Sequence, residues 1–281
     1  MGKTIRIDAH QHFWRIEDGY YDWIDPSDSV LYRDYVPEDL VHHLKTHSMD
    51  GTITVQASPN IKDTELLLEL SEKTNSILGV VGWVDVTGHT FKEDLETLKK
   101  NKKFVGIRVM IQDMEDPSIL LSSSYLKAFK YLEEQQISVD LLVREIQLPV
   151  IVQLLREVPQ LRAVIDHLGK PTIAKAQLDT WEDQLQEIAS YSTVYCKLSG
   201  LVTEAKVEWK IGDFKPYLQR AYDAFGPNRL MFGSDWPVCL VAATYDEVVE
   251  IIDSTFEDKL SEEDKHKLFG ENAARFYRID I

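Results

Sequence analysis

"FVGIRVM" (Phe104–Met110), "SSYLKAFKYLEEQQ" (Ser123–Gln136) and "SVDLLV" (Ser138–Val143) succeed one another near the middle of the chain. The outer two runs are short, rich in Val, Ile and Leu, and lack strict polar alternation. Strands buried on both faces read this way, as in a parallel sheet. The middle run is longer and amphipathic, which reads as a helix. Strand, helix, strand is one crossover unit.

The same unit recurs in both directions. Upstream lie the strand candidates "IRIDA" (Ile5–Ala9), "TITVQA" (Thr52–Ala57) and "ILGVVGWV" (Ile77–Val84). Downstream lie "AVIDH" (Ala163–His167), "VYCKLS" (Val194–Ser199) and "LMFGSD" (Leu230–Asp235). Helical patterns separate them. "PEDLVHHLKTH" starts with Pro37 and Glu38, a favourable first turn. "TFKEDLETLKKN" has acids early and lysines late, matching the helix dipole. Eight strands alternating with eight helices predict an α/β fold of the (β/α)₈ TIM-barrel type. A doubly wound open sheet is the alternative, but no Gly-rich nucleotide fingerprint follows any strand. One domain over residues 1–281 is expected. The end, "SEEDKHKLFGENAARFY", reads as two short helices separated by Gly270. One connection is unusually long: Phe13 to Pro37 holds Phe13, Trp14, Tyr20, Tyr21, Trp23, Tyr32 and Tyr35. Such a loop reads as a pocket wall or a small satellite core.

Composition narrows the partners. The net charge of -16 argues against nucleic acid or an anionic membrane surface, which require a basic footprint. Cys196 and Cys239 are the two cysteines, which suits a reducing compartment better than a disulfide framework. No secretory signal and no bilayer-length apolar run is read, so a cytoplasmic location is expected.

A barrel of this kind carries its active site at the carboxyl ends of the strands. Those ends hold His10 and His12, Gln56, Trp83 and Asp85, Arg108, Asp140, His167, Lys197 and Ser199, and Asp235. Core packing does not ask for polar residues at one end of nearly every strand. In an extended strand, His10 and His12 point to the same side. Arg108 and Asp140 also read as an ion pair on neighbouring strands. His42, His43 and His47 read as outer-surface residues, His89 and His266 as solvated, and the cysteines as packing.

"DAHQHFW", "GIRVM", "VIDHLGKP", "LMFGSDWPVC" and "LFGENAARFY" resemble the amidohydrolase superfamily, within it the lactonase-rich amidohydrolase-2 group. "DAHQHFW" and "GSDWPVCLVAATYDEV" are especially similar to L-fuconolactonases and related sugar-lactone hydrolases. The resemblance runs nearly the whole length. It implies a (β/α)₈ hydrolase whose partner is a small sugar lactone. Asp235, His10, His12 and His167 are then catalytic. Arg108, Gln56, Trp83, Trp14, Asp140 and Trp236 are then substrate-binding.

The resemblance also implies one or two divalent metals. Here strands four and five offer Arg108 and Asp140, and an arginine has no lone pair to donate. That argues against two metals. Two readings stay open: one divalent metal, zinc by its N/O donors, on His10, His12, Asp235 and His167, or no metal, with the histidines as hydrogen-bond donors. A decarboxylase or hydrolase of a small carboxylic acid, such as a pyrone dicarboxylate lactone, is the alternative activity. The oligomeric state is not read from the sequence.

Overall fold

The computed structural model describes residues 4–280. Its eight parallel strands pair in chain order, β1 to β8. They are β1 (Ile7–Gln11), β2 (Gly51–Val55), β3 (Ile77–Gly82), β4 (Phe104–Met110), β5 (Ser138–Leu142), β6 (Ala163–Ile165), β7 (Val194–Leu198) and β8 (Leu230–Phe232). Between and after them run α1 (Pro37–Thr46), α2 (Ile61–Lys73), α3 (Phe91–Leu98), α4 (Ser123–Glu134), α5 (Leu148–Glu157), α6 (Asp179–Ala189), α7 (Ile211–Phe225) and α8 (Tyr245–Phe256). The fold is the expected (β/α)₈ barrel.

The barrel closes through its own candidate site. The Asp235 N–H donates to His10 O at 2.8 Å, and the His12 N–H donates to Trp236 O at 2.7 Å. β8 itself stops at Phe232, before the expected Asp235, because Asp235 turns left-handed at φ 58°. β6 stops at Ile165 for the same reason, as His167 and Leu168 both sit at φ 55°.

The chain end differs from expectation. α9 (Glu262–His266), a π-helical turn (Lys267–Glu271) and α10 (Asn272–Tyr277) run on without a break at Gly270. A Cβ on Gly270 would overlap Ile5 O, so the glycine permits a close approach and does not end a helix. α10 then brings Phe276 and Tyr277 against Ile7, Ile53, Val55, Val81, Val164 and Met231. It fills the amino-terminal end of the barrel, where Ser138 Oγ donates to Phe276 O at 3.0 Å.

The long loop after β1 folds as both of its readings. Trp14 is buried against Tyr21, Trp23 and Tyr35, and its indole N–H donates to Arg33 O at 2.9 Å. Trp236 is buried between Phe13 and Tyr35. These two tryptophans, expected at the substrate, pack in the satellite core because their rings are the largest apolar bodies the loop has to bury. Gly19, Tyr20, Asp22 and Trp23 are the loop residues that reach the cavity.

Candidate active site

The site begins with an irregularity in β1. Asp8 registers with Thr52 but Gln11 with Thr54, so β1 carries an extra residue in between. Such a bulge re-aims side chains. Asp8 turns to the outer layer, accepting from the Ser234 hydroxyl at 2.6 Å, the Ser234 N–H at 2.9 Å and the Tyr245 hydroxyl at 3.1 Å. This clasp ties β1 to the turn that carries Asp235. His10 and His12 turn inward, with their Nε2 atoms 3.2 Å apart.

Asp235 Oδ1 is the point on which three imidazoles converge. It lies 3.3 Å from His12 Nε2, 3.7 Å from His10 Nε2 and 3.9 Å from His167 Nε2. Each ring is held from behind. His12 Nδ1 is 2.8 Å from Val55 O, and His167 Nδ1 is 2.9 Å from Ser199 Oγ. Burial opposes ionisation of Asp235, but His167 and His12 favour the carboxylate, and the group titrates below its ordinary range. Burial holds His10 well below the usual imidazole range, helped by Lys197, and burial does the same to His167. The floor of the site thus sets the Asp235 carboxylate beside the neutral rings of His10 and His167.

Beneath it lies a charge network that the sequence reading paired differently. Arg108 and Asp140 are register partners on β4 and β5 but do not pair. Arg108 faces Asp166 at 3.6 Å and donates to Gln56 O. Asp140 instead binds the Lys197 ammonium, which reaches it from β7 past the intervening β6, and accepts from the Tyr277 hydroxyl at 2.8 Å. Asp140 therefore sits deep among protein groups, away from the cavity wall where a substrate contact was expected. Lys197 also lies 3.2 Å from Asp166 Oδ1 and 3.1 Å from His10 Nδ1. Burial raises Asp166, but Lys197, His167 and Arg108 outweigh it, and its carboxyl titrates low. Asp166 was absent from the sequence reading. Its only signal was adjacency to His167 in "VIDHLGKP".

A cavity of about 770 Å³ opens above the floor. His12, Arg108, His167 and Asp235 line it, with Lys170, Asn60, Gln112 and Asp113 among its polar walls and Met110, Met114 and Leu142 among its apolar ones. Gln56 and Trp83 do not line it. Gln56 stands behind Arg108, and Trp83 donates its backbone N–H to Thr64 Oγ1 at 2.7 Å. Asp85 is exposed and caps a turn through Thr87. His43 stacks on Tyr245 and His47 contacts Asp246, both outside the barrel. Burial raises the thiols of Cys196 and Cys239, so neither is a thiolate nucleophile.

Two predictions arise from this packing. Gly200 sits at φ 60°, and a Cβ there would overlap His167 Nδ1. Gly200→Ala is expected to displace the His167 ring and lower turnover by about 10²-fold, since a small misplacement costs that much. Steady-state kinetics beside a wild-type-like circular dichroism spectrum check it, and full activity would refute the placement of His167. The second concerns pH. His10 and His167 are held neutral in the fold, so below about pH 6.5 the unfolded chain binds protons that the native state refuses. Each then removes about 1.4 kcal/mol of stability per pH unit as pH falls. Asp8 and Asp140, both raised to about 6 chiefly by burial, act in the opposite sense below that value, as does Asp63, which burial also raises. Urea midpoints are therefore expected to drop between about pH 7 and 6, before these carboxyls take up protons, and to level off below. Flat midpoints between about pH 7 and 6 would contradict neutral buried rings.

The donor set fits a divalent metal. Val55 O is only an acceptor, so His12 Nδ1 carries a proton, which leaves Nε2, 3.3 Å from Asp235 Oδ1, as the atom a cation would use. His10, His12 and Asp235 offer three ligand atoms close enough to share one, and the backbone bond behind His12 is the usual support of a ligating ring. His10, Asp166 and His167 form a second such group.

Residues 7–279 match the family model described as Amidohydrolase. The chain belongs to this family. It is 36% identical over 282 residues to an L-fucono-1,5-lactonase of Burkholderia ambifaria, covering 99% of this chain and 97% of that one. It is 38% identical over 289 residues to an L-fucono-1,5-lactonase of Burkholderia multivorans, covering 98% and 97%. A crystal structure of a Burkholderia multivorans amidohydrolase with bound zinc superposes with a TM-score of 0.93 at 38% identity, over 98% of this chain and 100% of that one. Among the described residues no helix is long and apolar enough to cross a membrane.

Proposed function

We propose that this protein hydrolyses a sugar 1,5-lactone of the L-fuconolactone type, opening the cyclic ester to the free sugar acid. The observation that carries the reading is the convergence of His10, His12 and His167 on Asp235 Oδ1 at the floor of a cavity of sugar size, in a family member aligned over nearly its full length with curated lactonases.

Asp235 is ionised at neutral pH and lies at the open floor, so it takes the proton from the attacking water. The water oxygen bonds to the lactone carbonyl carbon, and the bond from that carbon to the ring oxygen breaks. Asp235 returns its proton to the departing ring oxygen. His167 lines the cavity and, with its Nδ1 held at Ser199 Oγ, presents Nε2 to the developing oxyanion. A divalent ion on His10, His12 and Asp235, which we take to be zinc, would supply Lewis-acid polarisation there.

Arg108 Nε and Gln56 Nε2 are buried donors without a partner among the described residues. Arg108 lines the cavity and is aimed to bind sugar oxygens. Asn60, Gln112, Asp22 and Asp113 supply further hydroxyl contacts on the walls, and Trp23, 47% exposed, offers a ring face at the mouth. The two wall carboxylates disfavour a dicarboxylate substrate.

The test is a panel of sugar 1,5- and 1,4-lactones against pyrone dicarboxylates, run before and after chelation, with elemental analysis of the purified protein. Fastest turnover of a fuconate-type 1,5-lactone by zinc-bearing protein is expected. Turnover of pyrone acids alone, or of no cyclic ester, would overturn the reading.

A further inference from the structure

The mechanism above uses His167 from "VIDHLGKP" and leaves Lys170 without a task. The backbone there is unusual. His167, Leu168, Gly169 and Lys170 have φ of 55°, 55°, 70° and 49° in succession, and the Lys170 N–H donates to His167 O at 2.8 Å. This is a left-handed turn, a conformation that L-residues avoid and that rarely continues past a single residue. Strain of this kind persists where the surroundings over-determine it, often at functional sites. Here Leu168 is buried, and its carbonyl accepts from the Trp181 indole N–H at 2.7 Å.

The turn has a geometric consequence. In a three-residue turn, side chains three apart face the same side. His167 and Lys170 accordingly both line the cavity. Lys170 also differs from the other cations near the floor. Lys197 is bound to Asp140 and Asp166, and Arg108 to Gln56 and Asp166. Lys170 has Glu204, at 3.7 Å, beyond hydrogen-bond reach, with both side chains only partly buried. Its charge bears on Asp235, His10 and His167.

We propose that Lys170 receives the carboxylate that ring opening creates, and that Glu204 competes for the same ammonium to release the product. The proposal rests on the lactonase reading. Hydrolysis converts a neutral lactone into an anion: water adds to the acyl carbon, the ring oxygen leaves as a hydroxyl, and the new acid gives its proton to solvent. A carboxylate so formed lies between Asp235 below and the wall carboxylates of Asp22 and Asp113. Lys170 is the cavity cation held by the loosest ion pair.

The test is titration calorimetry with the sugar acid, paired with product inhibition of lactone hydrolysis, for the wild type, Lys170→Met, Lys170→Arg and Glu204→Gln. Lys170→Met is expected to lose affinity for the acid by about tenfold more than for the lactone. Lys170→Arg is expected to restore most of the acid binding, and Glu204→Gln to tighten it. Equal losses for acid and lactone in Lys170→Met would overturn the proposal, as would acid binding that ignores Lys170. Should Lys170→Met fail to fold, Glu204→Gln decides, and unchanged acid affinity there rejects the competition. A wild type that binds the sugar acid through Lys170 yet opens no lactone would sink the lactonase reading while leaving the anion site standing.

Discussion

Asp235→Asn is expected to lower kcat/KM for a sugar 1,5-lactone by roughly 10²–10⁴-fold, the range attributed to a positioned acid–base group. The substitution is chosen for what it preserves. Position 235 sits at φ 58°, and asparagine tolerates the left-handed region about as well as aspartate. The amide also keeps the shape of the side chain 3.3 Å from His12. What disappears is the anion that the surrounding imidazoles hold ionised. Unfolding by urea is expected to stay within about 1 kcal/mol of wild type, because a buried charge is removed along with its interactions. A variant that keeps near wild-type turnover would remove Asp235 from the chemistry. A variant that loses activity and structure together would assign the residue to barrel closure, since its N–H is part of the β1–β8 seam.

The second large effect is on stability. Lys197 is fully buried and supplies the ammonium for both Asp140 and Asp166. Lys197→Met leaves Asp140 with the Tyr277 hydroxyl as its remaining partner and Asp166 with Arg108 and His10 Nδ1. Breaking one side of a buried ion pair costs about 3–5 kcal/mol, which in a protein of this size lowers Tm by roughly 10 °C. Removing the whole group is a different matter. The triple variant Lys197→Met, Asp140→Leu, Tyr277→Phe buries no orphaned charge at that point and is expected to recover most of the loss. Scanning calorimetry of the single and triple variants decides. A single variant as stable as wild type would mean that the network does not anchor the barrel floor.

The two predictions separate what a linear reading reaches from what it does not. His10, His12, His167 and Asp235 were legible because a barrel brings strand ends to one place, and a polar residue at an apolar strand's end stands out. Asp166 and Lys170 were not. Strand periodicity gives no reason to place Asp166, His167 and Lys170 at one site, and the left-handed turn from His167 abolishes that periodicity. The bulge at β1 is a similar case: the spacing of Asp8, His10 and His12 suggests one face, but Asp8 leaves for the outer layer. Trp14 and Trp236 illustrate a different failure. Aromatic richness in a loop identifies surface to be covered without saying which rings cover it and which face a ligand.

What the sequence by itself determined is the alternation of buried strands and amphipathic helices, and with it the barrel and the end at which its chemistry gathers. These follow from local periodicity, which each segment carries in its own residues. Only the tertiary structure decided the pairings. Arg108 takes Asp166, and Asp140 takes Lys197, although Arg108 and Asp140 share a register. The reason is physical: inside a closed barrel the partner of a charge is whichever long side chain reaches it across the interior. That distance depends on closure of the whole sheet, which no single segment encodes.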